Sequence, residues 1–287
     1  MKGQNTWLAI MLLTALFIFG QTTSSFAQAT KESVTSAFND AIGSANEDPA
    51  GTIAALKAII ADCETLGEDG AEIKALAESK LPTLHYKAGN ALFKEKKYSE
   101  ALSVFEEAEA AADSYGDADV AASVAKVLPK AHYAVGMSHL KNKATDDAIA
   151  SFDTAIELNP NYANAYFGKS RALRSKGDLE KVYELTDKAL ELAGEKTKAN
   201  IVKSISGYLY KKAKSSNEKS KFSTAITYLE KAISYDADRD QARYYYELGK
   251  AYQGMGRNSD ACSAYKKATG KYAEGAKYQM EHKLKCG

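Results

Sequence analysis

Four histidines and three cysteines are the residues of this chain best suited to chemistry. His132 and His139 stand seven apart, which on a helix places both imidazoles on one face, the beginning of a divalent-metal site. A metal needs further ligands, and none stands at a suitable spacing, so no metal and no other cofactor is expected. His85 and His132 occupy equivalent places in a repeating pattern set out below, and packing accounts for them. The chain has no His-Glu-x-x-His, no paired-cysteine metal signature and no phosphate loop ahead of a helix, while Gly254-Met255-Gly256 reads as a turn. Nothing groups an acid, a base and a nucleophile, and the expectation is a protein that is not an enzyme.

The elements that carry these residues announce themselves by a recurring spacing: a small residue, a second small residue twelve later, a large one four later, and alanine three after that. It is clearest at Gly136, Ala148, Phe152 and Ala155, closed by Asn159-Pro160-Asn161, and again at Gly249, Ala261, Tyr265 and Ala268. Gly89, Ala101, Phe105 and Ala108 form a third copy. Two weaker ones run Ser170, Val182, Thr186, Ala189 and Ala213, Ala225, Leu229, Ala232. The physical reason is a close-packed helical hairpin, in which a small residue on the first helix admits the large residue of the second. From Ala101 onward the intervals are 47, 34, 43 and 36 residues. The longer ones insert helical sequence around residues 119–128 and 196–205, lengthening first helices. Leu81-Pro82 and Leu128-Pro129 fall at matching joints between an added segment and its repeat. Ala54, Ala58 and Ala61 suggest a worn sixth unit.

This pattern resembles the tetratricopeptide repeat, or TPR. The resemblance implies an all-α, right-handed superhelical solenoid of helical hairpins: a degenerate N-terminal repeat and added helix over residues 30–81, an array of five units over 82–272, and a C-terminal capping helix over 273–287. It also implies a concave groove lined by the first helices. Fifteen residues before each second small residue stand Tyr86, Tyr133, Phe167, Tyr210 and Tyr246, all aromatic, at a place that faces the groove in TPR arrays. Four further along lie Asn90, Met137, Arg171, Lys214 and Lys250, on the same helix face, with Arg174 one turn beyond Arg171. The groove would thus be aromatic and increasingly basic toward its C-terminal half. Tyr86 stands where a chaperone-tail clamp needs lysine, so a clamp is not expected. With 18 tyrosines in the chain, wall stacking is the competing explanation of the column.

Cys262 opens the last second helix and Cys286 ends the cap folding back along it, which brings them near enough for a bridge; Cys63 reads as a buried small residue. Lys2, the apolar residues 7–19 and the small residues Ala27 and Ala29 form an export signal over residues 1–29, too short for the ~20 residues of a spanning helix. No transmembrane segment is expected, and the compartment is periplasmic or secreted, as for an exported bacterial protein. Net charge is +1, which argues against nucleic acid as the main partner. Acids outnumber bases ten to four over residues 31–81, and bases outnumber acids nine to four over residues 241–287. The expected partner is a protein or peptide segment, acidic in character; spaced aromatic faces also suit a glycan, which makes an envelope carbohydrate-binding protein the alternative.

Overall fold

The computed structural model describes residues 29–237 and 241–286, and the export segment expected at residues 1–29 lies, but for Ala29, outside them. Described residues form helices joined by short turns: α1 (Lys31–Ser44), α2 (Pro49–Leu66), α3 (Ala71–Lys94), α4 (Tyr98–Tyr115), α5 (Ala118–Lys141), α6 (Thr145–Leu158), α7 (Ala163–Lys176), α8 (Leu179–Leu192), α9 (Glu195–Glu218), α10 (Phe222–Tyr235), α11 (Ala242–Gly254), α12 (Asn258–Lys266) and α13 (Ala273–Tyr278). Consecutive helices pair as antiparallel hairpins, α1/α2 through α11/α12, and each hairpin packs on the next in a right-handed solenoid.

The spacing read from the sequence has a simple steric meaning. A Cβ on Gly136 would sit 2.7 Å from the Phe152 ring, and one on Gly168, in the following hairpin, would sit 2.6 Å from the same ring. Phe152 is therefore clasped between two helices of successive units and is fully buried. Gly89 meets Phe105 and Gly249 meets Tyr265 at the same distances of closest approach, 2.7 and 2.6 Å. The α7/α8 hairpin solves the problem differently. Ser170 and Thr186, both fully buried, replace glycine and ring; their hydroxyls lie 2.7 Å apart and both donate to the Val182 carbonyl. Polar burial is tolerated there because every hydroxyl has a partner.

In all six hairpins the fourth residue of the second helix is the buried small one: Thr52, Ala101, Ala148, Val182, Ala225 and Ala261. This corrects the register of the first unit. Ala54, Ala58 and Ala61 are exposed, and Thr52, Leu56, Ile59 and Cys63 face the core instead. Thr52 hydrogen-bonds the Ala41 carbonyl across the hairpin (3.3 Å), a role alanine could not fill. Five residues before the small position, Lys96, Lys143, Gly177, Ser220 and Gly256 all have left-handed backbone, so one turn geometry joins the last five hairpins.

Three first helices, α3, α5 and α9, are 24 residues long, matching the added sequence. The joints at Pro82 and Pro129 do not divide these helices: α3 and α5 run through them, so the boundary drawn at residue 82 falls inside α3. An interior proline costs about 3 kcal/mol in an isolated helix. Here both prolines are buried against neighbouring helices, whose packing offsets the lost hydrogen bond.

The end of the array is closed by α13, which continues through one wide turn, Gln279–Leu284. Ala276, Met280 and Leu284 cover Ala261, Tyr265 and Ala268. Left-handed Lys285 then reverses the chain, Cys286 donates its N–H to the Met280 carbonyl (2.9 Å), and Cys286 is bonded to Cys262 with Cα atoms 5.8 Å apart.

Two expectations follow. Gly136→Ala forces the Phe152 ring aside and should destabilise the fold by about 1–3 kcal/mol in urea titration; a midpoint equal to that of the parent would show that the clasp is loose. Removing the bridge by Cys286→Ser should cost about 3 kcal/mol for a closed loop of this length, read as a lower midpoint in non-reducing denaturation that dithiothreitol no longer changes.

Candidate binding groove

The five aromatic residues of the column sit on α3, α5, α7, α9 and α11, one per first helix, and all are half-buried. Their inner faces are occupied. Tyr86 lies 6.0 Å from the Phe105 ring, Tyr133 5.7 Å from Phe152 and Tyr246 5.8 Å from Tyr265, so each leans on the ring that fills its own hairpin. Tyr210 packs edge-on against Tyr244 of the next first helix at 5.9 Å. Tyr133 is also met by Tyr162 at 5.5 Å, and Tyr246 by Tyr272 at the same distance. The column is thus a wall fixed by packing from behind, and what it offers a ligand is ring edges and outer faces. Burial raises the Tyr133 phenol above its ordinary range, with nearby Arg171 opposing, so it remains neutral and able to donate a hydrogen bond.

The polar positions divide into those with partners and those without. Asn90 donates its amide to the Tyr86 carbonyl one turn back (3.0 Å). Lys250 is neutralised: its ammonium lies 3.1 Å from both carboxylate oxygens of Glu247, which is 4 % exposed and held by the Asn217 amide at 2.9 Å. The expected gain of positive charge at α11 is therefore cancelled, because the preceding unit turns Glu247 inward. Arg174 is a wall residue as well. Its guanidinium is stacked between Phe167 (5.2 Å) and Tyr208 (5.0 Å), donates to the Ser204 hydroxyl, and leaves Nε and Nη2 buried without hydrogen bonds. Burial, reinforced by Arg171, pushes it down to about 10.

Arg171 and Lys214 are exposed. Arg171 touches the Met137 sulfur at 3.5 Å, so α5 and α7 bring a thioether and a guanidinium together beside Tyr133. The structure also adds residues that the spacing did not single out. Arg243 caps the Tyr210 and Tyr244 rings, at 5.3 and 4.6 Å, and pairs with buried Asp236 at 3.5 Å. Tyr162 was signalled only by its place two residues after Pro160. Among the described residues no three histidine, cysteine or carboxylate side chains stand together as a metal site.

The hairpin geometry has a counterpart in known sequences: residues 129–162 match the tetratricopeptide repeat family, and residues 242–278 match it again. Over these two stretches the chain carries tetratricopeptide repeats. No curated protein matches it in sequence. Among solved structures, MamA is 19% identical with a TM-score of 0.39, over 72% of this chain and 97% of MamA. YrrB, described as a TPR protein with an unusual peptide-binding site, is 14% identical with a TM-score of 0.37, over 68% of this chain and 90% of YrrB. BtubC from P. vanneervenii is 13% identical with a TM-score of 0.38, over 88% and 91%.

The ring contacts predict how the column responds to truncation. Tyr133→Ala should lower stability by about 2 kcal/mol, because it empties a space between Phe152 and Tyr162, whereas Tyr133→Phe should leave the thermal midpoint within a degree or so. Equal midpoints for the alanine variant and the parent would mean that the tyrosine does not support the wall.

Proposed function

We propose that this TPR array is a non-catalytic scaffold of the cell envelope that holds a segment of a partner protein along its concave face. The observation that carries the reading is the wall of half-buried aromatic residues, one on each of five successive first helices, braced from behind and paired at α7 with the exposed Arg171 guanidinium. Braced rings offer contact area at little entropic cost, and a preformed groove reduces the ordering penalty of binding. Arg171 and Lys214 supply the exposed positive charge, which favours acidic side chains in the bound segment. With Lys250 satisfied by Glu247, the attractive charge is concentrated over α7 and α9 rather than at the C-terminal end.

Export places the scaffold in the envelope or outside the cell, and a Cys262–Cys286 bridge is compatible with such an oxidising compartment. The test is capture. The chain purified from its native envelope should begin at Gln28 or Thr30, lack lipid, and bring down a protein whose binding weakens roughly tenfold with Arg171→Glu and becomes less sensitive to salt. Retention of that protein by Arg171→Glu as tightly as by the parent would move the interaction off the groove. Capture of polysaccharide in its place would favour the carbohydrate-binding alternative.

A further inference from the structure

A cavity of about 430 Å³ lies on the other side of α3 from Tyr86 and Asn90, where the start of α2 and the middle of α4 converge on that helix. At 100° per residue, His85, Ala88, Leu92 and Glu95 occupy the face of α3 opposite the groove positions, so this space is separate from the concave surface. Its walls are apolar: Ile53 from α2, Ala88 and Leu92 from α3, Val104 from α4. Its polar lining is mostly acidic, with Glu47 and Asp48 at the head of α2, Glu95 at the end of α3 and Glu107 on α4, beside His85 and one cation, Lys97.

Two of these carboxylates are already engaged. Asp48 accepts from the Gly51 N–H as the helix cap, and Glu95 pairs with Lys97 at 2.9 Å. Among the described residues no lysine or arginine pairs with Glu47 or Glu107. The second observation is His85. It is 4 % exposed, lines the cavity, and its Nδ1 approaches Glu107 Oε2 at 3.1 Å without forming a hydrogen bond. A buried ring with an unsatisfied nitrogen beside a carboxylate that no lysine or arginine neutralises is an incomplete arrangement. Burial lowers the His85 pKa, against the pull of Glu107 and with the help of Lys57, which favours the neutral ring, able to accept a hydrogen bond.

We infer that this cavity holds a positively charged group on an aliphatic stem, either a lysine or arginine side chain of a partner or a free alkyl amine. The methylenes lie along Ile53, Leu92 and Val104, and the ammonium or guanidinium is shared by Glu107, Glu47 and the neutral His85 ring. An apolar sleeve ending in carboxylates suits such a group better than a metal ion, which would need more oxygen ligands at short range. The apolar wall selects for the stem, and the carboxylates select for charge.

Calorimetric titration of the full chain with the peptide acetyl-Gly-Ala-Lys-Ala-Gly-amide, its Nε-acetyl-lysine counterpart, agmatine and butylamine tests this, with histidine ring NMR as a second readout. The expected result is binding of the lysine peptide with displacement of the His85 ring signals, a loss of at least tenfold in Glu107→Gln, and no binding in Ala91→Phe, which fills the mouth of the cavity from an exposed helix position. A lysine peptide that binds tenfold tighter than the free amines identifies a partner side chain as the occupant, and equal or weaker affinity identifies a small amine. The proposal is overturned if none of the charged probes binds at about 10 mM, if the acetylated peptide binds as well as the charged one, or if both folded variants bind like the parent. None of these residues borders the groove, so Arg171→Glu should leave this binding unchanged.

Discussion

The structure depends on the close approach of a glycine-bearing first helix to a ring on the second helix. Phe152 shows it most fully, because it meets Gly136 of its own hairpin and Gly168 of the next. One side chain thereby sets both the spacing within a unit and the spacing between units. A solenoid has no central core to correct a misplaced element, and each hairpin is positioned only by its neighbours. The clasp therefore propagates into the aromatic column: Tyr133, which rests on Phe152, and Tyr246, which rests on Tyr265, stand where they do because the rings behind them are fixed.

The candidate groove positions inherit this order unevenly. The aromatic wall is regular because it touches the regular part of each hairpin. The charges are irregular because each answers to a different neighbour: Arg174 to two ring faces, Lys250 to Glu247, and Arg171 to a methionine one unit earlier. Two positions that look alike along the sequence, Arg171 and Lys250, consequently differ in the field they present. One is exposed and the other forms an ion pair with a buried carboxylate that is itself gripped by Asn217.

Much of the architecture was legible in the sequence because steric clasps require particular residue types at fixed intervals. Gly136, Ala148 and Phe152 can hardly be read otherwise. The register of the first hairpin was not legible. Ala54, Ala58 and Ala61 imitate the pattern, and alanine is equally at home on an exposed helix face, whereas the buried position belongs to Thr52 through a hydrogen bond that spacing does not reveal. The neutralisation of Lys250 was hidden for a related reason. Glu247 is only three residues away, but what buries it comes from thirty residues earlier. The space beside His85 draws on three helices, and no local pattern records it.

The covalent closure between Cys262 and Cys286 also gives the array a direction. A linear stack opens by fraying, and the cost of the first step is set at whichever edge is less firmly held. At one edge the last hairpin and its cover are tied together by a bond; at the other, the described residues of α1 and α2 are held by packing and by non-covalent polar contacts, with Cys63 buried and unbonded. Thermal opening should then behave like a zipper with a single pull, starting at α1 and running toward the tied edge. Such a molecule would lose its acidic shoulder first while the tyrosine-rich remainder stayed wound.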